Sequence, residues 1–338
     1  MRAVGSVFPF PLAEIGGDVE DSLWARWTAG FEHHAVFQTA RGALRALLQQ
    51  EGATRLWLPA YICAETLTAA PEECEILFYQ DGPALPFGGL TPRAGDAVLG
   101  VDYFGRNASA ALRTLAHERR DALWIEDRAQ AMAPETPPWG DVVLYSPRKL
   151  IGLADGSLMV SNQPLPPSPP ARTDPAAWTA ALARLDDPEG EHPTLWSLPS
   201  KAREAAFTAD PHGMQPLASQ VLKRVALDPL SNRRKANYAC LLGCLEAYAL
   251  WPEAPAFAPL AFPVRVQDAA LAVGRMAEQR VFCPRHWAQL PSPAADFPIA
   301  HALSATLLSI PCDHRYDEAD MERVASALQA CADPLQPR

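Results

Sequence analysis

Residues 144–160 read LYSPRKLIGLADGSLMV. The apolar run Val142-Val143-Leu144-Tyr145 that leads into this stretch has the character of a buried strand. Gly152 and the turn Asp155-Gly156 separate it from a second apolar run, Leu158 to Val160. Lys149 is thereby placed at the carboxyl end of a buried strand. Only four of the 29 basic residues are lysines (149, 201, 223 and 235), so arginine serves almost wherever a simple positive charge would do. Lys201, Lys223 and Lys235 lie in polar helical surroundings and read as surface charges. An amine held partly desolvated at a strand end is nucleophilic toward carbonyls, and a guanidinium cannot take over that chemistry. An ordinary ion pair at the strand end is the plainer alternative, and the neighbouring sequence decides between them.

Upstream, strand-like and helix-like segments alternate. Thr39 caps a helix whose apolar stripe is Ala43, Leu44, Leu47 and Leu48, with Gly52 closing it. The amides of Ala40, Arg41 and Gly42 in its first turn suit an anion, and Gly42 would allow close approach of a ligand. Strands are expected at residues 55–59, 74–79, 98–104, 123–127, 142–145 and 158–160, with a short helix from Ala64 and another near 108–120 capped by Asn107. This order predicts an α/β fold, a mostly parallel sheet with helices on both faces. Ligands bind such sheets at the carboxyl ends of the strands, where Asp127 and Ser146 to Lys149 fall. Glu126, next to Asp127 on a strand, should face the opposite way. Neither GxGxxG nor GxxxxGK[ST] occurs, so a dinucleotide fingerprint or a P-loop does not account for the site.

Beyond the proline-rich loop at 164–175, helices are expected near 176–186 and from Pro216 to Tyr248, the latter broken near Pro229. A smaller α/β unit follows, with strands at 262–266 and 306–310, a helix near 268–278, and a last helix capped by Asp317. The domain reading is an arm at 1–22, a large domain at 23–250 and a small one at 251–338.

The 338 residues are 49% hydrophobic and 20% charged, a globular composition. A net charge of −10 argues against nucleic acid as a partner. No run of 18 apolar residues and no signal-peptide pattern is present, so the expectation is a cytoplasmic protein with no membrane partner. The seven cysteines are scattered without CxxC, and the eight histidines form no HExxH, which argues against a disulfide framework or a metal site. Cys240 and Cys244 share a helical face and read as small buried hydrophobes.

Asp127 and Lys149 at neighbouring strand ends, with Gln130 one turn beyond the aspartate, are the parts that pyridoxal phosphate chemistry requires. Here the chain resembles the DegT/StrS family of pyridoxal phosphate-dependent sugar aminotransferases, which have the aspartate aminotransferase fold. TARGAL (39–44) is similar to the family's SGTxAL, LPAYICAET (58–66) to VPSYTFVAT, and VDYFGRNA (101–108) to VHLYGNPA. IEDRAQAM (125–132) is similar to IEDAAQAH, and YSPRKLIGLADGSLMV to FYPTKNLGAGDGGAIV. The segments NRRKANY (232–238) and LLSIPCDHRYDEADMERVASAL (307–328) match in character.

The resemblance implies pyridoxal 5'-phosphate as cofactor, Lys149 as the Schiff-base lysine and Asp127 as the partner of the pyridine nitrogen. It also implies Gln130 near the ring hydroxyl and phosphate-binding amides at Ala40 and Arg41. Ser146, three residues before the lysine, replaces the family's serine at five before, where Leu144 stands. Cys63 occupies the place of the aromatic residue that covers the ring, and Pro211 that of the asparagine lent to a neighbouring site. The implied reaction moves an amino group from an amino-acid donor to a nucleotide-linked keto sugar, in a homodimer. Two alternatives are a degenerate cofactor-binding protein and sugar dehydration; the latter goes with histidine in place of the lysine, and Lys149 argues against it. Arg41 and Arg148 add positive charge near the cleft, either to bind substrate phosphates or, for Arg41, to brace the cofactor phosphate or face solvent.

Overall fold

The computed structural model describes residues 1–16, 19–133 and 136–335. Residues 17–18 of the expected arm and 336–338 of the expected small domain lie outside the described residues. In chain order the strands are β1 (Val4–Gly5), β2 (His33–Phe37), β3 (Arg55–Pro59), β4 (Glu75–Tyr79), β5 (Ala97–Val101) and β6 (Leu123–Asp127). They continue as β7 (Val142–Tyr145), β8 (Ser157–Ser161), β9 (Phe262–Arg265), β10 (Val281–Phe282) and β11 (Leu307–Ile310). The α-helices are α1 (Leu23–Thr28), α2 (Ala40–Gln50), α3 (Ala110–Glu118), α4 (Thr179–Asp186) and α5 (Thr194–Ala206). After them come α6 (Pro216–Leu222), α7 (Leu227–Leu245), α8 (Ala269–Glu278), α9 (Pro298–Thr306) and α10 (Glu318–Cys331).

Seven strands form one sheet in the order β2-β8-β7-β6-β5-β3-β4. All run parallel except β8, which is antiparallel to both of its neighbours, so the expected mostly parallel α/β sheet is present. Burial on both faces explains the unbroken apolar character of the central strands. Leu56, Leu99, Ile125 and Leu144 pack with Leu44, Leu47 and Leu48 of α2 on one face. Val143, Tyr145 and Leu158 pack with Trp27, Trp178 and Leu222 on the other. A further core joins β9 and β11 to α7, α8 and α10 through Phe262, Val264, Leu308, Leu241, Met276 and Val324. Val4 of β1 belongs to it, because β1 pairs in parallel with β10. Among the described residues no helix is long and apolar enough to cross a membrane.

Several expectations are corrected. The strand expected at 98–104 ends at Val101, where a 3-10 turn, Tyr103–Gly105, lets the Phe104 amide donate to Gln130 Oε1 at 2.7 Å. α3 starts two residues beyond the expected position, capped by Ser109, because Asn107 instead accepts a hydrogen bond from Thr136. The break before α7 precedes Pro229, which occupies the helix's third position, where a missing N–H costs nothing. Cys244 is exposed and Cys240 half-buried, since α7 turns Tyr238, Leu241 and Leu245 to the core instead. β2, α5, α9 and the β1–β10 pair had no counterpart in the sequence reading.

Asp81, just past β4, carries a buried polar cost. Its Oδ1 accepts from the Gly82 amide at 2.9 Å, whereas Oδ2 is buried without a partner among the described residues. Burial pushes its carboxyl up to about 7. The folded state then holds this proton more tightly than the unfolded chain, so the contribution of Asp81 to stability falls as pH rises from about 4 to 7. Asp81→Asn should be the more stable protein at pH 8, by roughly 1–3 kcal/mol, the usual cost of an unsatisfied buried group. The gap should close near pH 4; thermal melts at the two pH values check this, and a gap independent of pH would refute it.

Candidate active site

The site forms where β5, β6 and β7 end. Asp127 is the last residue of β6, in register with Val101 of β5 and Leu144 of β7. Its backbone carbonyl accepts from Asp102 N at 3.0 Å, and its Oδ1 accepts from Ala129 N at 2.8 Å. These bonds fix the carboxylate at the floor of a cleft. Burial pushes the Asp127 carboxyl up, and the Lys149 charge opposes that shift. Glu126 faces the other way, as expected, where it is buried against Arg128 at 2.6 Å and accepts from the amides of Trp139 and Gly140.

Lys149 closes the 3-10 turn Pro147–Lys149 that follows β7, its amide donating to the Ser146 carbonyl at 3.1 Å. Among the described residues nothing forms a hydrogen bond or ion pair with its Nζ. The ion pair of the plainer alternative is thus not formed among the described residues. The ammonium acts at longer range on Asp127, Cys63, Glu65 and His286. Position 152 must be glycine for the turn to stay where it is, because a Cβ there would lie 1.7 Å from the Pro9 carbonyl oxygen of the N-terminal segment.

Two cavities meet at Lys149. The first, about 540 Å³, is lined by Ala40, Arg41, Cys63, Asp127, Ser146 and Lys149, so six of the seven residues singled out in the sequence share it. The second, about 490 Å³, shares Cys63 and Lys149 and includes Gln130, the seventh. Gln130 is buried, and its side-chain oxygen is held by the Phe104 amide.

At the α2 terminus, Thr39 Oγ1 accepts from Gly42 N at 3.1 Å. The amides of Ala40 and Arg41 have no acceptor among the described residues and remain open to an anion. The reading of Gly42 is corrected: it does not line the cavity, and a Cβ there would meet the Asp210 carbonyl oxygen at 3.2 Å, so its close neighbour is the chain itself. The Arg41 guanidinium is anchored on the Phe207 carbonyl at 3.0 Å. The Cys63 thiol, pushed up to about 11 by burial and by its bond to Glu65, stays protonated at neutral pH. Pro211 lies in the irregular segment between α5 and α6.

Sequence reasoning missed other residues. Ala129 lines the first cavity and was within reach because it sits inside the DRAQ run; Leu144, singled out in the sequence only as standing in place of a serine, lines it too. Trp287 lines both cavities, supplying an aromatic wall from a segment far along the chain. His286 beside it is buried, with Nδ1 2.8 Å from Ser309 Oγ, and burial pushes its imidazole down to about 4, so it is neutral. Arg203, Glu204 and Phe207, from the C-terminal end of α5 and just beyond, also reach the cavities and carry no sequence signal that would have found them.

One cavity therefore presents a free primary amine, an aspartate at a strand end and an open helix N-terminus beside an arginine. This donor set fits pyridoxal phosphate: an amine for its carbonyl, a carboxylate for its ring nitrogen, and amides with a guanidinium for its phosphate.

No family model matches the chain, and no curated protein matches it. Solved structures do. A DegT DnrJ EryC1 StrS aminotransferase from Brucella abortus is 19% identical over 94% of this chain and 91% of its own, with a TM-score of 0.65. NtdA from Bacillus subtilis, solved with bound cofactor PMP, is 13% identical over 95% of this chain and 79% of its own, with a TM-score of 0.63. DesI, solved in the presence of its TDP-sugar product, is 19% identical over 94% of this chain and 85% of its own, with a TM-score of 0.62. The likeness is one of fold and extends over nearly the whole chain.

Proposed function

We propose that this chain is a pyridoxal 5'-phosphate-dependent aminotransferase that carries an amino group from an amino-acid donor to a keto sugar joined to a nucleotide. The observation that supports this most directly is the unpaired Lys149 amine, set beside Asp127 at the meeting of two cavities. Bound there, pyridoxal phosphate supplies a carbonyl open to amines and a ring that withdraws electrons from the substrate's α-carbon. The open amides of Ala40 and Arg41, with the Arg41 guanidinium, would hold the phosphate at the positive end of α2. Asp127 would keep a proton on the ring nitrogen, which requires the carboxylate to be anionic; burial opposes that state and the nearby Lys149 charge favours it.

Lys149 has two tasks, and its free Nζ suits both. It would anchor the cofactor covalently. Its Nζ, once released by the donor's amine, would carry a proton from the donor's α-carbon to the cofactor and, in the reverse direction, from the cofactor to the acceptor carbon of the sugar. The second cavity, which also reaches Lys149, offers room for the substrate. The sugar and its nucleotide are favoured by the fold shared with DesI, which was solved with a TDP-sugar. Borohydride reduction of the cofactor-loaded protein, followed by peptide mass mapping, should place the cofactor on Lys149. A label on Lys201, or none, would refute the assignment.

A further inference from the structure

A transaminase of this kind must receive two unlike substrates in one cleft, an amino acid with a carboxylate and a sugar without one. The second cavity holds a charge arrangement suited to that problem. Arg148 NH1 donates to Glu204 Oε1 at 2.8 Å, and Arg203 NH2 donates to the same oxygen at 3.1 Å. Arg203 NH2 also lies 3.4 Å from Ser200 Oγ. Nε of each arginine is buried without a partner, and Arg148 NH2 and Arg203 NH1 have no acceptor among the described residues. Two guanidinium groups thus share a single carboxylate oxygen on the cavity wall next to Lys149. The arginine side chains are 17% and 12% exposed, whereas that of Glu204 is 40% exposed, so the glutamate can swing toward solvent and the arginines cannot. The Arg148 guanidinium is further held over the Phe207 ring at 5.3 Å.

The remaining arginine on this cavity is committed. Arg315 donates through Nε and NH2 to the two oxygens of Asp313 at 2.7 and 2.8 Å, and through NH1 to the Val7 carbonyl at 2.8 Å.

We propose that Arg148 and Arg203 form the receptor for the amino donor's carboxylate, and that Glu204 is an internal counter-ion which that carboxylate displaces. When the sugar occupies the cleft, Glu204 returns, and the guanidinium groups are never left buried and unpaired. A planar carboxylate matches a guanidinium fork in two parallel hydrogen bonds. Two guanidinium charges, with Glu204 turned away, suit a carboxylate without requiring a diphosphate. This inference rests on the aminotransferase reading for the identity of the ligand.

Succinate is the probe for the carboxylate and inorganic pyrophosphate the probe for a substrate diphosphate, each titrated calorimetrically at fixed ionic strength. Arg203→Gln should weaken succinate binding roughly tenfold or more, the loss of a hydrogen bond to a charged group. Arg203→Lys, which keeps the charge and loses the fork, should fall between that variant and the wild type. Glu204→Gln should bind succinate several-fold more tightly, because the competing charge is gone. Weaker binding by Glu204→Gln, or no change in either arginine variant, overturns the proposal. So does pyrophosphate binding more tightly than succinate with the same dependence on Arg203. Visible absorption of the cofactor-loaded wild type is recorded separately. Absence of its band would defeat the aminotransferase reading whatever the titrations give, while a normal band with an unresponsive Arg203 would defeat only the receptor.

Discussion

Lys149→Ala should lower transamination by at least about 10²–10⁴-fold, the range for loss of a positioned acid–base group, and should abolish covalent attachment of the cofactor. The fold should survive, since Nζ makes no hydrogen bond or ion pair among the described residues and the side chain is only half-buried. An unchanged melting temperature would establish that the loss is chemical. Lys149→Arg should be as inactive, because a guanidinium stays charged and does not attack a carbonyl. Both cavities touch Lys149, so the space vacated in the alanine variant is open to a small added amine such as methylamine. Partial recovery with that amine would identify the missing group as a base. Activity of Lys149→Ala within tenfold of wild type would end the assignment.

Asp127→Asn should retain cofactor and lose turnover, by about 2.7–4 kcal/mol or a hundredfold to a thousandfold in kcat, as for other preorganised electrostatic groups. The split is expected from the local geometry. An amide oxygen can still accept from the Ala129 amide, and the backbone bond from Asp102 to the Asp127 carbonyl is untouched, so position is conserved and charge is not. Cofactor titration and steady-state rates measured on the same preparation separate the two effects. Turnover near that of wild type would mean that Asp127 does not hold the ring proton; loss of cofactor in proportion to rate would make it a binding residue only.

The parts that were legible in the sequence share a property: their chemistry lies within a few residues of a strong local pattern. The run to Asp127 and the run to Lys149 each follow an apolar strand, and parallel pairing of β6 with β7 brings their ends together as the spacing predicted. Thr39 and the apolar stripe of α2 were equally plain, because capping and periodicity are local properties. What was hidden depends on distant contacts or works against local preference. α5 contains Pro199 and leaves Leu195 and Leu198 exposed, so neither propensity nor periodicity marks it, although it delivers Arg203 and Glu204 to the cleft. β2 opens with two exposed histidines and is a strand only because β8 lies beside it. Gly42 illustrates the converse error. A glycine in a helix's first turn suggested a ligand, and the neighbour proved to be the backbone of Ala209 and Asp210.

The N-terminal segment has a consequence for how the protein is made. Val4 and Gly5 pair with Val281 and Phe282, Gly5 N donates to the Tyr316 hydroxyl at 2.8 Å, and residues 5–8 form part of the wall of the second cavity. During translation these first residues leave the ribosome on the order of tens of seconds before their partners, at the usual synthesis rates. The seven-stranded sheet, whose last strand ends at Ser161, can assemble in that interval, and with it the strand ends that carry Asp127 and Lys149. The wall of the second cavity that includes Phe282, His286 and Asp313 cannot. A nascent chain would therefore bring Asp127 and Lys149 together before the second cavity is enclosed, and Val4 and Gly5 would wait for β10 after Phe10 and Ala3 have met Ala181 and Glu189.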